Sequence, residues 1–332
     1  VLGALGPTAA SAIGVAYWAP YAVAATGLAL TFRRFVRQSQ PTQATTRRPL
    51  RALAREYWRF TSPRAVAAIF STIVEWSDVL FIAALAGTTE AGIYAAATRF
   101  LVVGRNVQFA AVNALRPQIN RLLDAGRNDE AQQTYRLSAT WSIALAWPWF
   151  LSLVVFAEEL LSVLAPEFAV AAPVLRILCA GWLLGTALGP VSVVLEMAGK
   201  SSWSMFDLGL SMVANIILNL VLIPRFGLTG AAVAWVTSIA INNLLPAWQV
   251  RVATGLTPLG RSTRRVAGIA ATLFGVVAAA DAAMPGGDRS LAVVVAVVAG
   301  TTVLYLALLA RYVPEASPPR LLRAALGRAN SS

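Results

Sequence analysis

The sequence has no histidine, one cysteine (Cys179) and one lysine (Lys200) among its 332 residues. Without imidazoles or a second thiol, zinc sites, disulfide frameworks and histidine-dependent catalysis are excluded within this chain, and no metal site is expected. A phosphate-cradling loop is missing as well. Its nearest approach, Gly199-Lys200-Ser201, has Val194 where the loop's first glycine belongs, so no nucleotide partner is expected. There is no Gly-x-Ser-x-Gly, no paired-cysteine motif and no Asp-x-Asp. The longest loop on the less basic side, 158–170, is too short to build the acid-bearing lobe that membrane enzymes joining sugars generally need. The reading is of a non-enzyme with no catalytic residues.

Charge is scarce too. Charged residues make up 13% and apolar residues 58%, against roughly 25% and 45–50% in soluble domains. Mean hydropathy is +0.66. That much apolar surface does not fit inside a core of this size, so the surrounding solvent is a bilayer. Nine mostly apolar stretches are long enough to span: 8–32, 64–86, 91–115, 137–157, 171–197, 203–223, 228–250, 265–283 and 291–311. The expected fold is an all-α integral membrane protein, a bundle of about nine transmembrane helices.

The net charge of +12 would suit nucleic acid, but its location argues otherwise, and no nucleic-acid partner is expected. Arg33, Arg34, Arg37, Arg47, Arg48, Arg51, Arg55 and Arg59 crowd the segment after the first span. Arg116, Arg121, Arg127 and Arg136, then Lys200, then Arg251, Arg261, Arg264 and Arg265, then Arg311, Arg320, Arg323 and Arg328 fall on the same side of an alternating topology. The opposite loops hold Arg225 and Arg289 against Glu90, Glu158, Glu159, Glu167, Asp281 and Asp288. By the positive-inside rule the 33–63 segment and the C-terminus are cytoplasmic, and Val1 starts outside. A first residue outside, with neither Met nor signal, leads to the expectation that the chain has lost its beginning. Residues 50–60, with Leu50, Leu53, Tyr57 and Phe60 on one face, suggest an interfacial helix on anionic lipids, as do residues 117–134 with Ile119, Leu122 and Leu123; solvated loop helices fit both equally well.

Ionisable residues at membrane depth are costly and mark candidate function. Glu75 and Asp78 sit one turn apart in the second span, and Arg99 and Arg105 in the third. Counted from a turn near Thr88-Thr89, Asp78 and Arg99 share a depth, and Arg105 lies roughly 4.5 Å off the level of Glu75. Two acid–base pairs across this hairpin are expected. They either only neutralise each other or line a hydrated cavity. In a cavity, the guanidinium forks would hold phosphate and a carboxylate would exchange a proton or sodium ion. Arg99, Asn106 and Asn113 recur every seven residues as a sugar-contacting stripe, for which helix–helix adhesion is the competing explanation. In the sixth span Asp207, Ser211, Asn215 and Asn219 recur every four residues. This polar line either packs against other helices or turns Asn215 and Asn219 towards a cavity, packing being the favoured reading.

A resemblance enters at Glu196-Met-Ala-Gly199-Lys200, followed by Asn215-Ile-Ile-Leu-Asn219-Leu-Val-Leu-Ile-Pro224-Arg-Phe-Gly227-Leu-Thr-Gly230-Ala-Ala-Val-Ala234 and Thr237-Ser238. With Asp78 and Gly92-Ile-Tyr94-Ala-Ala-Ala-Thr-Arg99, this resembles the polysaccharide-biosynthesis (Wzx-like) flippases of the multidrug/oligosaccharidyl-lipid/polysaccharide exporter superfamily, over roughly residues 70–265. Such proteins have two six-helix lobes, often with two further helices. The resemblance implies residues 1–32 as the last helix of a truncated N-terminal lobe and 33–63 as the basic linker between lobes. It implies 64–252 as a six-helix C-terminal lobe, 253–312 as two additional transmembrane helices, and 313–332 as a basic cytoplasmic tail. Five helices would then precede Val1.

The implied activity is flipping of a polyprenyl-diphosphate-linked oligosaccharide across a bacterial-type inner membrane by alternating access. Arg99, Arg105, Asn106 and Asn113 would contact phosphate and sugar, and Glu75 or Asp78 would couple to a proton or sodium gradient, with no other cofactor. Polysaccharide polymerase and glycosyltransferases are the implied protein partners. A peptidoglycan-precursor flippase, a drug/cation antiporter of the same superfamily and a non-transporting scaffold for synthesis enzymes are the alternatives. The two mid-membrane arginines argue against the antiporter, which would want an acid-rich cavity.

Overall fold

The computed structural model describes residues 7–38, 50–283 and 290–313. Among them every regular element is helical: α1 (Pro7–Gln38), α2 (Leu50–Leu85), α3 (Thr88–Asp124), α4 (Asn128–Val155), α5 (Ala157–Ser162), a 3-10 turn (Pro166–Ala171), α6 (Ala172–Leu188), α7 (Val191–Met197), α8 (Ser201–Thr254), α9 (Arg261–Ala282) and α10 (Leu291–Tyr312). In hydrocarbon each backbone donor must find its acceptor within the protein, and a helix achieves this inside one segment. All nine expected spans fall on helices, with 203–223 and 228–250 forming the two arms of α8. Six helices among the described residues are long and apolar enough to cross a membrane. The chain is an all-α membrane protein. The tail beyond 313 and the 39–49 part of the linker lie outside the described residues.

The chain divides into two units, Val1–Trp58 and Arg59–Ser332. In the first, α1 exposes every described side chain from Trp18 to Arg34. Its threonines are satisfied within the helix: Thr26 donates to the Ala22 carbonyl at 2.7 Å and Thr31 to that of Gly27 at 3.0 Å.

In the second unit α4 is central and α10 peripheral: 67% of an apolar 18-residue stretch of α4 is buried, against 11% of the corresponding stretch of α10. Around α4 pack α3, α6 and α9, and α6 in turn carries α8. Small residues set these approaches. At Gly104 a Cβ would stand 2.6 Å from the Phe150 ring, and at Gly181 3.0 Å from Trp235 and Val236. One buried cluster joins Ile82, Tyr94, Leu101, Phe150, Leu175 and Leu178. A second, towards the basic end, joins Ile119, Leu122, Tyr135, Leu195 and Val250. Large apolar side chains crowd the outside as well, among them Ile69, Trp76, Leu80, Phe206 and Val303. Ser138, Asp207, Asn215 and Asn219 are buried. Apolar outside and polar inside is the arrangement a lipid solvent favours.

Two expectations are corrected here. Residues 50–60 are not a separate interfacial helix but the opening turns of α2, which runs on to Leu85; an uninterrupted helix avoids the unpaired backbone groups that a break would create. Residues 117–134 are not one helix either. Pro117 lies inside α3, which stops at Asp124; the chain turns at Gly126 (φ 69°) and α4 starts at Asn128. The apolar face of Ile119 and Leu122 is consumed by Tyr135 and Leu195 rather than by a leaflet.

α8 folds back on itself at Gly227, whose φ of 56° and ψ of −134° leave the helical region. A Cβ at Gly230 would collide with the Leu222 carbonyl, so the arms meet backbone to backbone. Cross-arm hydrogen bonds then run down the hairpin: Ser211 Oγ donates to the Ser238 carbonyl at 2.8 Å, and Gln249 Nε2 to Asp207 Oδ1 at 2.7 Å.

Candidate functional site

The α2–α3 hairpin turns at Ala86-Gly87, beside the expected Thr88-Thr89. The amides of Ala86 and Gly87 both donate to the Ile82 carbonyl, and Gly87 takes φ 118°. This closure sends α3 back past α2 and brings Tyr94 to the level of Asp78.

Asp78 is 2% exposed and fully hydrogen-bonded. Its Oδ1 accepts from Asn215 Nδ2 at 3.1 Å and from Asn219 Nδ2 at 2.7 Å, and its Oδ2 accepts from Tyr94 Oη at 3.3 Å. Ser77 Oγ donates to Asn215 Oδ1 at 3.0 Å. One carboxylate thus ties α2 to α3 and to the first arm of α8. Asn215 and Asn219 are not cavity-lining residues. Both are 0% exposed and stand behind Asp78, because the four-residue spacing that puts them on one face turns that face onto α2,.

The expected ion pair of Asp78 with Arg99 does not form. Tyr94 is the α3 residue that meets Asp78, and Arg99, five residues on, projects about 140° further round the helix. What Asp78 and Arg99 share instead is a cavity. A space of about 340 Å³ is bounded by Asp78, Arg99 and Arg105, with Tyr94, Trp182 and Trp235 among its other walls. Its size falls at the lower end of the roughly 300–1,000 Å³ typical of ligand pockets. Arg99 is exposed and Arg105 half-buried. Asn106 is exposed and is not part of this lining. The side chains of Glu75 and Asn113 lie outside the described residues, and with Glu75 the second expected pair.

The aromatic wall is not placed at the site by the sequence; Asn215 and Asn219 are, but as possible cavity lining rather than as the amide pair that holds Asp78. Trp182 stacks on Phe150 with centroids 5.8 Å apart and planes 9° from parallel, and Trp235 leans on Trp182 at 5.8 Å. Tryptophans favour membrane interfaces, so two in the middle of apolar helices are the signal that could have flagged them. Chemically, the cavity offers guanidinium groups to an anion, indole faces to a sugar ring or other planar apolar group, and a carboxyl edge to a cation.

The MatE family matches residues 48–221, over half of the sequence. The chain belongs to the MatE family. Asp78, Arg99, Arg105, Asn215 and Asn219 fall inside the matched region of this MatE protein. Among curated proteins it is similar to the "Probable low-salt glycan biosynthesis flippase Agl15" of Haloferax volcanii, 27% identical over 195 residues, which is 58% of this chain and 41% of that protein. The chain therefore spans about two-fifths of the length of that relative. A solved multidrug resistance MATE family transporter of the MOP superfamily, in an outward-facing conformation, superposes with a TM-score of 0.48 and 17% identity, covering 80% of this chain and 67% of that one.

Proposed function

We propose that this MatE protein serves in a flippase that moves a polyprenyl-diphosphate-linked oligosaccharide across the cell membrane for cell-surface polysaccharide synthesis. The observation that carries the reading is the shared lining of one cavity by Arg99, Arg105 and Asp78. A lipid headgroup bearing diphosphate and sugar needs cationic donors at membrane depth, while its polyprenyl tail stays in lipid. Arg99 and Arg105 answer the phosphates, and Trp182 and Trp235 offer ring faces to the sugar. Similarity to a protein named as a glycan biosynthesis flippase supports the glycan rather than the drug.

Asp78 is the coupling residue in this proposal. Three side-chain donors hold its carboxylate, while Asn219 Oδ1 has no hydrogen-bond partner among the described residues. A proton or sodium ion arriving there changes which of those bonds can persist, and with them the hold of α8 on α2 and α3. The basic loops face the cytoplasm, in the inner membrane of a bacterial-type cell.

Export of lipid-linked sugar in cells that depend on this protein tests the reading. Arg99→Gln with Arg105→Gln is expected to lower export at least 100-fold at unchanged protein level, the loss of two charge-assisted contacts of about 1.5–3 kcal/mol each. Export unaffected by the double change would leave the cavity without its assigned role and favour a scaffold acting through its basic loops.

A further inference from the structure

The polar line of α8 begins with a second buried carboxylate that the proposed cycle does not use. Asp207 lies about 18 Å along the helix from Asn219 and is 0% exposed. From the returning arm Gln249, 8% exposed, donates its Nε2 to Asp207 Oδ1 at 2.7 Å. Among the described residues, Asp207 Oδ2 and Gln249 Oε1 have no hydrogen-bond partner.

Those two unpartnered oxygens belong to the two side chains that already share a bond. A carboxylic acid and a primary amide close a ring when the amide N–H donates to one carboxyl oxygen and the carboxyl O–H donates back to the amide oxygen. The pair here has the first of these bonds, and the two oxygens that the second would join are the ones without a partner among the described residues. With Asp207 ionised, both acceptors are bare in a buried place, each at the cost of an unsatisfied polar group. With one proton on Oδ2, both are satisfied at once.

Among the described residues the surrounding elements bring no charge or hydrogen bond to the two bare oxygens. From α7, Glu196 accepts from Ser204 Oγ at 3.3 Å, one turn before Asp207. Lys200 and Arg251 stand at the ends of α8, with Lys200 Nζ over the Trp203 ring at 5.0 Å. α2 brings the Phe70 ring against Gly209, and α6 brings Gly185 against Asn243, neither of them charged. Among the described residues none of these groups pairs with Asp207.

We propose that Asp207 and Gln249 form a proton-binding site: one proton on Asp207 Oδ2 closes the acid–amide ring and clasps the two arms of α8 towards their basic end, and its departure opens the clasp. The site is separate from Asp78 and stands whether or not the chain moves a glycolipid.

Asp207→Asn is the direct probe, because an asparagine amide donates to Gln249 Oε1 and accepts from Gln249 Nε2 with no proton to lose. The full chain in detergent is expected to lose Tm by at least about 3 °C as pH is raised, and D207N is expected to hold its Tm over the same range. Infrared difference spectra between low and high pH should show a protonated-carboxyl C=O band that D207N lacks. In Gln249→Met that band should persist at a shifted frequency, since its hydrogen-bond acceptor is gone; this variant keeps the test open should D207N fail to fold. A wild-type spectrum with no band lost in D207N, or identical pH responses of the two proteins, overturns the proposal. So does stabilisation by sodium over potassium chloride at fixed pH, which would make the occupant a metal cation.

Discussion

Tyr94, Asn215 and Asn219 direct their donors at one carboxylate, so what Asp78 contributes is measured by what its removal strands. Interhelical hydrogen bonds inside membranes average only about 0.6 kcal/mol, but a buried donor left bare costs about 1–3 kcal/mol. Asp78→Ala is therefore expected to destabilise by about 2 kcal/mol or more, read as a lower Tm in detergent. Asp78→Asn keeps the shape and most of the stability but removes the charge, so export should fall while protein level holds. The sequence made parts of this site legible: Asp78 as an acid at membrane depth, and Asn215 and Asn219 as one face of a helix. Their meeting was not legible, because 137 and 141 residues separate the partners. The Asp78–Arg99 pairing failed for a local reason. Equal depth is readable from counting, but the azimuth that gave Asp78 to Tyr94 depends on how α3 is rotated by its packing on α4.

Among the elements, the α8 hairpin makes the sharpest contrast between two glycines. Gly227 supplies a backbone conformation that other residues resist, and a Cβ there meets nothing within 4 Å. Gly227→Ala should therefore cost only its strain, about 1–3 kcal/mol. Gly230 has the opposite problem, since a methyl there meets the Leu222 carbonyl, which has nowhere to go. Gly230→Ala is expected to prise the arms apart, weaken the Ser211 and Gln249 cross-arm bonds and cost above about 4 kcal/mol. Urea or thermal melts of the two variants check that order. The two-arm reading of this region was available from the sequence, because Pro224 through Gly230 breaks an apolar run long enough for two spans. The end of α3 was not: the pattern Ile119, Leu122 and Leu123 reads the same whether its face meets lipid or, as here, Tyr135.

For the whole molecule, composition identified the solvent and charge distribution suggested the sidedness, but neither said which helices lie at the centre. α4 and α10 are both apolar, yet one is mostly buried and the other mostly exposed; apolarity does not distinguish a protein neighbour from a lipid one. Sidedness can be tested cleanly because the single thiol, Cys179, is buried. In intact cells a membrane-impermeant maleimide is expected to label Ser162→Cys and to spare Arg127→Cys until the membrane is opened; the reverse pattern would invert the orientation. A consequence also follows from the bare backbone at Gly104, where α3 lies flush on the rings of Phe150 and Trp149. Two rods in such intimate contact have no room to roll past one another. In the proposed flipping cycle, any rocking that turned the cavity from one face of the bilayer to the other would carry α3 and α4 as a single plank, with the guanidinium of Arg105 riding beside the seam.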